Sequence, residues 1–319
     1  MTDADTKPRT VAVLGATGNV GAPTVERLRR LTWDVRPISR RQEAVEAWRR
    51  QGIDGRRADL DEPATVQAAL QGADTLLLIV AATPAQAEHG AAAVRAAEAA
   101  GVRRIVHVGS ADGRIGSPVP WADACARTDQ LIRRSQMTWT LLHPTAFDED
   151  LLELAAPIGF GWLPQVAGDG AVGWIDSDDI SRVAVEVIGN EVAGEPGAYD
   201  GQTLTLTGPA LLSFAEVAEV MTERLGRPVR HVDVPVPVFA ALMRLGGADR
   251  WTRDAVIAQF AEVVRHGRDG SDVLTGTVAQ VTGQAPVPFG DWVEAHARDF
   301  AGPGAVRALG DLVRKTRRS

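Results

Sequence analysis

Lysine and tyrosine are almost absent from this chain of 319 residues. The lysines are Lys7 and Lys315, against 32 arginines, and the one tyrosine is Tyr199. Chemistry that pairs a tyrosine phenol with a nearby lysine ammonium is therefore not expected. The single cysteine, Cys125, excludes an internal disulfide. The six histidines are scattered without paired ligand spacing, so no metal site is expected. Long apolar runs are missing too. A stretch such as Leu76 to Ala82 is too short for a bilayer and suits a buried strand. Met1 to Thr10 is polar, with no apolar core of a signal peptide. The net charge of -7 offers no overall attraction to nucleic acid or an anionic membrane. These absences predict a cytoplasmic protein; the motifs below add the expectation of a small-molecule substrate, and a homodimer is left open.

The first half alternates short β-like runs with helical stretches. Strands are expected at Val11–Leu14, Trp33–Ile38, Arg56–Ala58, Thr75–Val80, Arg104–Val108 and Thr138–Leu142. Helices are expected at Ala22–Arg30, at Glu43–Arg50, through Leu70 with Asp61 as N-cap, at Pro84–Ala100 and at Trp121–Arg134. Repeated strand–helix–strand units imply parallel strands with right-handed crossovers. Near-continuous apolar strands agree, because a parallel sheet is covered on both faces. The expected fold is α/β: a Rossmann-type doubly wound sheet with a smaller, mostly helical C-terminal substrate lobe. The dinucleotide-binding part is expected over 1–147, with returning segments near 176–190 and 199–208. The lobe is expected over 148–175 and 209–300, with one strand near Arg230–Val234. A basic tail follows at 301–319.

Gly15-Ala16-Thr17-Gly18-Asn19-Val20-Gly21 lies between the first strand and the first helix. A tight turn needs glycine, and a pyrophosphate must approach backbone N–H groups without a Cβ in the way. The positive end of the following helix then faces the phosphates. Strand before, helix after and a βαβ continuation make this a dinucleotide loop. At the end of strand two, where NAD-binding chains usually place an acid, the chain reads Ser39-Arg40-Arg41. A guanidinium there suits a 2′-phosphate, and Ser39 adds a hydroxyl. NADP(H) is the expected cofactor, although Arg41 equally suits a solvated helix start. Asp59-Leu60 follows strand three, and Asp59 is placed either to accept from an adenine amino group or to cap a helix.

These residues resemble the NmrA-like family of atypical short-chain dehydrogenases/reductases. Besides the loop, the likeness rests on Ala73-Asp74-Thr75, on Gly101-Val102-Arg103-Arg104-Ile105-Val106-His107-Val108-Gly109-Ser110, and on Trp139-Thr140-Leu141-Leu142-His143-Pro144-Thr145-Ala146-Phe147. In the last stretch His143 stands where arginine is usual. Asp179-Ile180, Leu204 to Pro209, Ser213-Phe214-Ala215-Glu216-Val217-Ala218 and Leu225-Gly226-Arg227-Pro228-Val229 complete it. The resemblance implies a nicotinamide dinucleotide across the strand ends. Val80, Ala81, Ala82, Gly109, Pro144, Thr145 and Phe147 then join the expected cofactor contacts.

The resemblance leaves the reaction open. Short-chain dehydrogenases usually use Ser, Tyr and Lys, the lysine lowering the tyrosine pKa. Aligned back from Ser135 and Trp139, Trp121 falls at the tyrosine position and Cys125 at the lysine position. The candidate catalytic residues are therefore Ser110, placed to hydrogen-bond a carbonyl, His143, able to donate a proton near neutral pH, and Asp123, an acid or base. Each has a plainer reading: a turn serine, a satisfied core histidine, and an acid stabilising a helix N-terminus. Cys125 reads more simply as a small buried residue. Trp121, Trp162, Trp174 and Phe147 line an aromatic-tolerant pocket or form core. Asp176, Asp178 and Asp179 fit a helix N-cap better than a cation site. An NADPH-dependent reductase of a quinone, enone or imine ranks first. A non-catalytic redox sensor and a non-redox cyclase or isomerase follow.

Overall fold

The computed structural model describes residues 9–31, 33–193 and 197–301. The tail expected at 301–319 lies outside them from residue 302 onward, as do Lys7 and Lys315. The elements run β1 (Thr10–Leu14), α1 (Gly21–Arg30), β2 (Asp34–Ser39), α2 (Gln42–Arg50), β3 (Arg56–Arg57), α3 (Pro63–Leu70), β4 (Thr75–Ile79), α4 (Gln86–Ala99), β5 (Arg104–Val108), α5 (Pro120–Arg134) and β6 (Thr138–Pro144). Then come α6 (Ala155–Gly159), β7 (Trp162–Gln165), β8 (Ala171–Val172), α7 (Ser177–Ala193), β9 (Gln202–Leu206), β10 (Leu212–Ser213), α8 (Phe214–Leu225), β11 (Arg230–Asp233), α9 (Val236–Leu245), α10 (Arg250–Ile257), α11 (Thr277–Thr282) and α12 (Phe289–Ala295).

The main sheet has seven strands in the order β3-β2-β1-β4-β5-β6-β9. The pairs from β3 through β6 are parallel. This is the Rossmann-type fold expected from the sequence. Every residue of β1 and of β5 is buried, as a strand covered on both faces requires. Chain order runs one way from β1 to β3 and the other way from β4, so a crevice opens outside the carboxyl ends of β1 and β4.

The chain divides into two compact units, 9–109 with 124–143 and 180–204, and 110–123 with 144–179 and 205–301. The core of the first is aliphatic, with Ala12, Leu14, Ile38, Leu76, Leu78, Ile105 and Leu141 packed under α3, α4 and α5. That of the second is aromatic. Trp174 meets Phe214 edge-on at 5.4 Å, and Phe289 stacks on Trp292 at 5.9 Å.

Two differences from the sequence reading are local. Glu62, not Asp61, precedes α3 as its N-cap residue, with Pro63 in the first turn, while Asp61 pairs with His89 at 2.8 Å. The glycine- and proline-rich stretch after Pro157 also holds two strands, β7 pairing in parallel with β11 and β8 antiparallel with β10.

The motif around α8 has a clear cause. Ser213 and Glu216 form a reciprocal capping box at its start, and Gly226 takes the left-handed conformation at its end, φ 64°. Arg227 then donates to the carbonyls of Ile158 at 2.9 Å and Phe300 at 2.6 Å, tying three segments of the second unit together.

Candidate functional site

The glycine loop leaves β1 and presses on the end of β4. Gly15 has φ +88°, and a Cβ there would lie 2.6 Å from the Ile79 carbonyl oxygen. At Gly21 a Cβ would lie 2.2 Å from the Gly15 carbonyl oxygen. Both glycines are thus demanded by the protein's own backbone. Gly18 is different. Its Cβ would meet only the Gly15 carbonyl oxygen at 3.5 Å, an ordinary contact, and its φ lies outside the left-handed range. Thr17, Gly18 and Asn19 form an exposed tip, while Ala16 and Val20 are buried anchors. No side chain caps α1, and its first turn carries no acid. The glycine that the fold does not need therefore sits bare beside an unneutralised helix N-terminus. That arrangement fits a pyrophosphate, whose oxygens accept from backbone N–H groups at close range.

The neighbouring strand ends hold the other expected contacts. Ser39 closes β2 and is buried, and its Oγ accepts the Arg41 N–H at 3.1 Å. Arg41 is the residue before α2. The Arg40 side chain is exposed and has no hydrogen-bond partner among the described residues. Asp59 accepts the Asp61 N–H at 3.1 Å in the turn before α3, and Leu60 is half-buried beside it. Val80 is half-buried, and Ala81 and Ala82 are exposed beyond β4. Gly109 follows β5, where its N–H donates to the Leu142 carbonyl at 2.8 Å. Within the second unit Pro144 is buried, and the Thr145 hydroxyl donates to the Gly173 and Leu206 carbonyls. Phe147 is half-buried and bridges to Ile175.

His143 is tied to a buried aspartate that the sequence reading missed. Asp129, on α5, accepts from His143 Nε2 at 2.7 Å and from His107 Nδ1 at 2.7 Å. Burial opposes ionisation of Asp129, but the two imidazole hydrogen bonds outweigh it and hold the carboxylate well below the usual range. His107 is in register with Leu141, so His143, two residues on, projects from the same face of the neighbouring strand.

Ser110 has a second buried aspartate as its partner. Its hydroxyl is hydrogen-bonded to Asp112 Oδ1. Burial pushes the Asp112 carboxyl up and the charge of Asp269 adds to this, while the hydrogen bond from Ser110 and the nearby Gln259 resist. Asp123 stands in the first turn of α5 and accepts the Gly116 N–H at 2.7 Å. Trp121 packs edge-on against Trp251 at 6.2 Å. Cys125 is buried, and Gln86 donates to its sulfur at 3.5 Å. Trp174 is core and Trp162 is exposed. Asp176 accepts the Asp178 N–H at 2.8 Å, as an N-cap does for α7. A third buried acid, Asp148, has no partner for either oxygen among the described residues. Burial and the charges of Glu149, Asp176 and Asp179 keep it well above the usual range. Among the described residues no cluster of three or more His, Cys, Asp or Glu could hold a metal, and no helix is long and apolar enough to cross a membrane.

Comparison with known proteins agrees with this geometry. A family model described as NAD(P)H-binding matches residues 15–191. An NAD(P)H azoreductase of Xenophilus azovorans is 31% identical over 296 residues, covering 91% of this chain and 99% of that protein. The structure of an NADPH-dependent quinone oxidoreductase of Escherichia coli, solved with NADPH, is 27% identical. It superposes with a TM-score of 0.78 over 89% of this chain and 99% of that one. The negative transcriptional regulator NmrA, solved with NAD, shares the fold at 17% identity, with a TM-score of 0.70 over 90% of this chain and 95% of that one. The glycine loop, the strand order and these likenesses together make the chain a member of the NAD(P)H-binding family, with the fold that NmrA shares.

Proposed function

We propose that this protein is an NADPH-dependent reductase of small conjugated or aromatic acceptors of the quinone, enone, imine or azo type. The observation that carries the reading is an intact cofactor cradle without the tyrosine and lysine of the common mechanism. Tyr199, the one tyrosine, lies in the turn before β9, and residues 8–314 contain no lysine. Conjugated acceptors suit such a site, because charge delocalises over the acceptor and a weaker proton donor suffices. The azoreductase and quinone oxidoreductase relatives support the same acceptor class.

When bound, the nicotinamide supplies a hydride. The chain's own residues supply the rest. Backbone N–H groups around Gly18 hold the pyrophosphate. Ser39 and Arg40 receive the 2′-phosphate, with Arg40 free to make charge-assisted bonds. Ser110, the hydroxyl next to Gly109, orients the acceptor's oxygen or nitrogen. His143 and Asp123 are already committed to partners inside the fold. Oxidation of NADPH, followed by its absorbance against a panel of quinones, enones, imines and azo dyes, tests the reading. Turnover of at least one class is expected. Tight NADPH binding with no turnover across the panel would sink it and leave the sensor reading in its place.

A further inference from the structure

The loop after β5 holds a carboxyl whose hydrogen bonding is incomplete in a way that one proton repairs. Asp112 is 6% exposed, and its Oδ2 has no partner among the described residues. Gln259 lies near enough to favour the ionised form of this carboxyl, yet Gln259 Oε1 is likewise buried without a partner. Both orphaned atoms are acceptors while Asp112 is ionised. Protonation at Oδ2 turns one of these bare buried acceptors into a donor. Gln259 is delivered by a π-helical turn, Ala258–Val263, a rare backbone form that collects at functional positions. On its other side Asp112 Oδ1 meets the Ser110 hydroxyl.

We propose that Asp112 is a buried proton reservoir that reloads the Ser110 hydroxyl, so that the pair delivers the proton an acceptor needs on reduction. The inference rests on the reductase reading above. A conjugated acceptor that has received a hydride has gained an electron pair and needs one proton at its oxygen or nitrogen. Ser110 provides it: the Oγ–H bond breaks as the new O–H or N–H bond forms. Rotation of the Asp112 carboxyl then brings its proton from Oδ2 to Ser110 Oγ, which takes it, and the Asp112 carboxylate regains a proton from water. The groups that act on Asp112 are Ser110 from its own loop, Gln259 from the π-helical turn, and Asp269, which is itself paired with Arg114 at 2.9 Å. Burial and the Asp269 charge raise the carboxyl's pKa, so it keeps its proton at pH values where a solvent carboxyl has lost it.

The test uses the full chain with NADPH and compares the parent with Asp112→Asn and Ser110→Ala. Infrared difference spectra recorded through a pH titration read the protonated carboxyl directly. The parent is expected to show a carboxylic-acid band that Asp112→Asn loses and Ser110→Ala shifts. The second readout is the pH dependence of kcat with a quinone. A proton donor works below its pKa, so the parent rate is expected to fall as pH rises through that of Asp112. Asp112→Asn is expected to lose this limb and turn over about 100-fold more slowly, with an unchanged Kd for NADPH. Should Asp112→Asn lose its native circular dichroism, Ser110→Ala carries the test by losing the same limb. A reductase whose band, rate and pH profile ignore both substitutions overturns this inference alone. A parent that binds NADPH and reduces nothing in the panel overturns the reductase reading and proton delivery with it.

Discussion

Asp129 and Asp112 are both buried aspartates, and their surroundings drive them in opposite directions. Asp129, in the first unit, has each oxygen bonded to an imidazole nitrogen at 2.7 Å. Asp112, in the second, has one oxygen on a serine and the other without a partner. The first is held ionised and the second is pushed toward its neutral form. A fully satisfied buried acid braces the fold, because every atom it offers is used. A half-satisfied one stores a proton. The glycine loop repeats the distinction: Gly21 is required by the Gly15 backbone, whereas Gly18 is required by nothing among the described residues.

The sharpest test of the contrast is stability. Asp129→Ala leaves the buried His107 and the half-buried His143 without their acceptor and should cost about 3–5 kcal/mol, measured by urea unfolding. Asp112→Asn should cost far less. The sign with pH also differs. A lowered carboxyl stabilises the fold above its unfolded value of about 4, and that contribution is lost as pH falls through the folded pKa. Acid should therefore weaken the parent more than Asp129→Asn. Equal pH slopes would break the comparison.

Cofactor binding should give the next largest effect. Arg40→Ala removes an exposed guanidinium that bonds nothing among the described residues, so unfolding should not register it. NADPH affinity should fall by about 1.5–3 kcal/mol, roughly 10- to 150-fold, with NADH little changed. Equal losses for both cofactors would refute the 2′-phosphate role. The glycines come next. Gly21→Ala forces backbone apart and should destabilise by about 1–3 kcal/mol. Gly18→Ala should leave stability within about 0.5 kcal/mol and weaken NADPH binding, read by fluorescence titration. The smallest effect is expected at Asp148. Its raised pKa removes stability as pH rises from the unfolded value through the folded one. Asp148→Asn should therefore raise Tm slightly at pH 8 and not at pH 4.

The sequence disclosed what is local. Buried parallel strands read as unbroken apolar runs, and a glycine triplet between strand and helix has few other uses, so β1, the loop and α1 were legible to within a residue. The strands β7 and β8 were not. Both are short, β7 contains Pro164, and its partner β11 lies more than sixty residues away. Ser110 could be named from its place after β5. Asp112 could not, because what distinguishes it is burial and a glutamine from a turn far along the chain. Asp129 escaped for the same reason. Helix periodicity alone does not say that two histidines from adjacent strands close on one carboxylate.

The contact between Gly21 and Gly15 carries a kinetic consequence. A loop whose first and last residues lock together is shaped by the chain itself, so a dinucleotide meets a finished cradle and little ordering entropy opposes its arrival. NADPH and NADH should then associate at similar rates. Discrimination would lie in how long each remains, with the Arg40 contact lengthening the residence of NADPH.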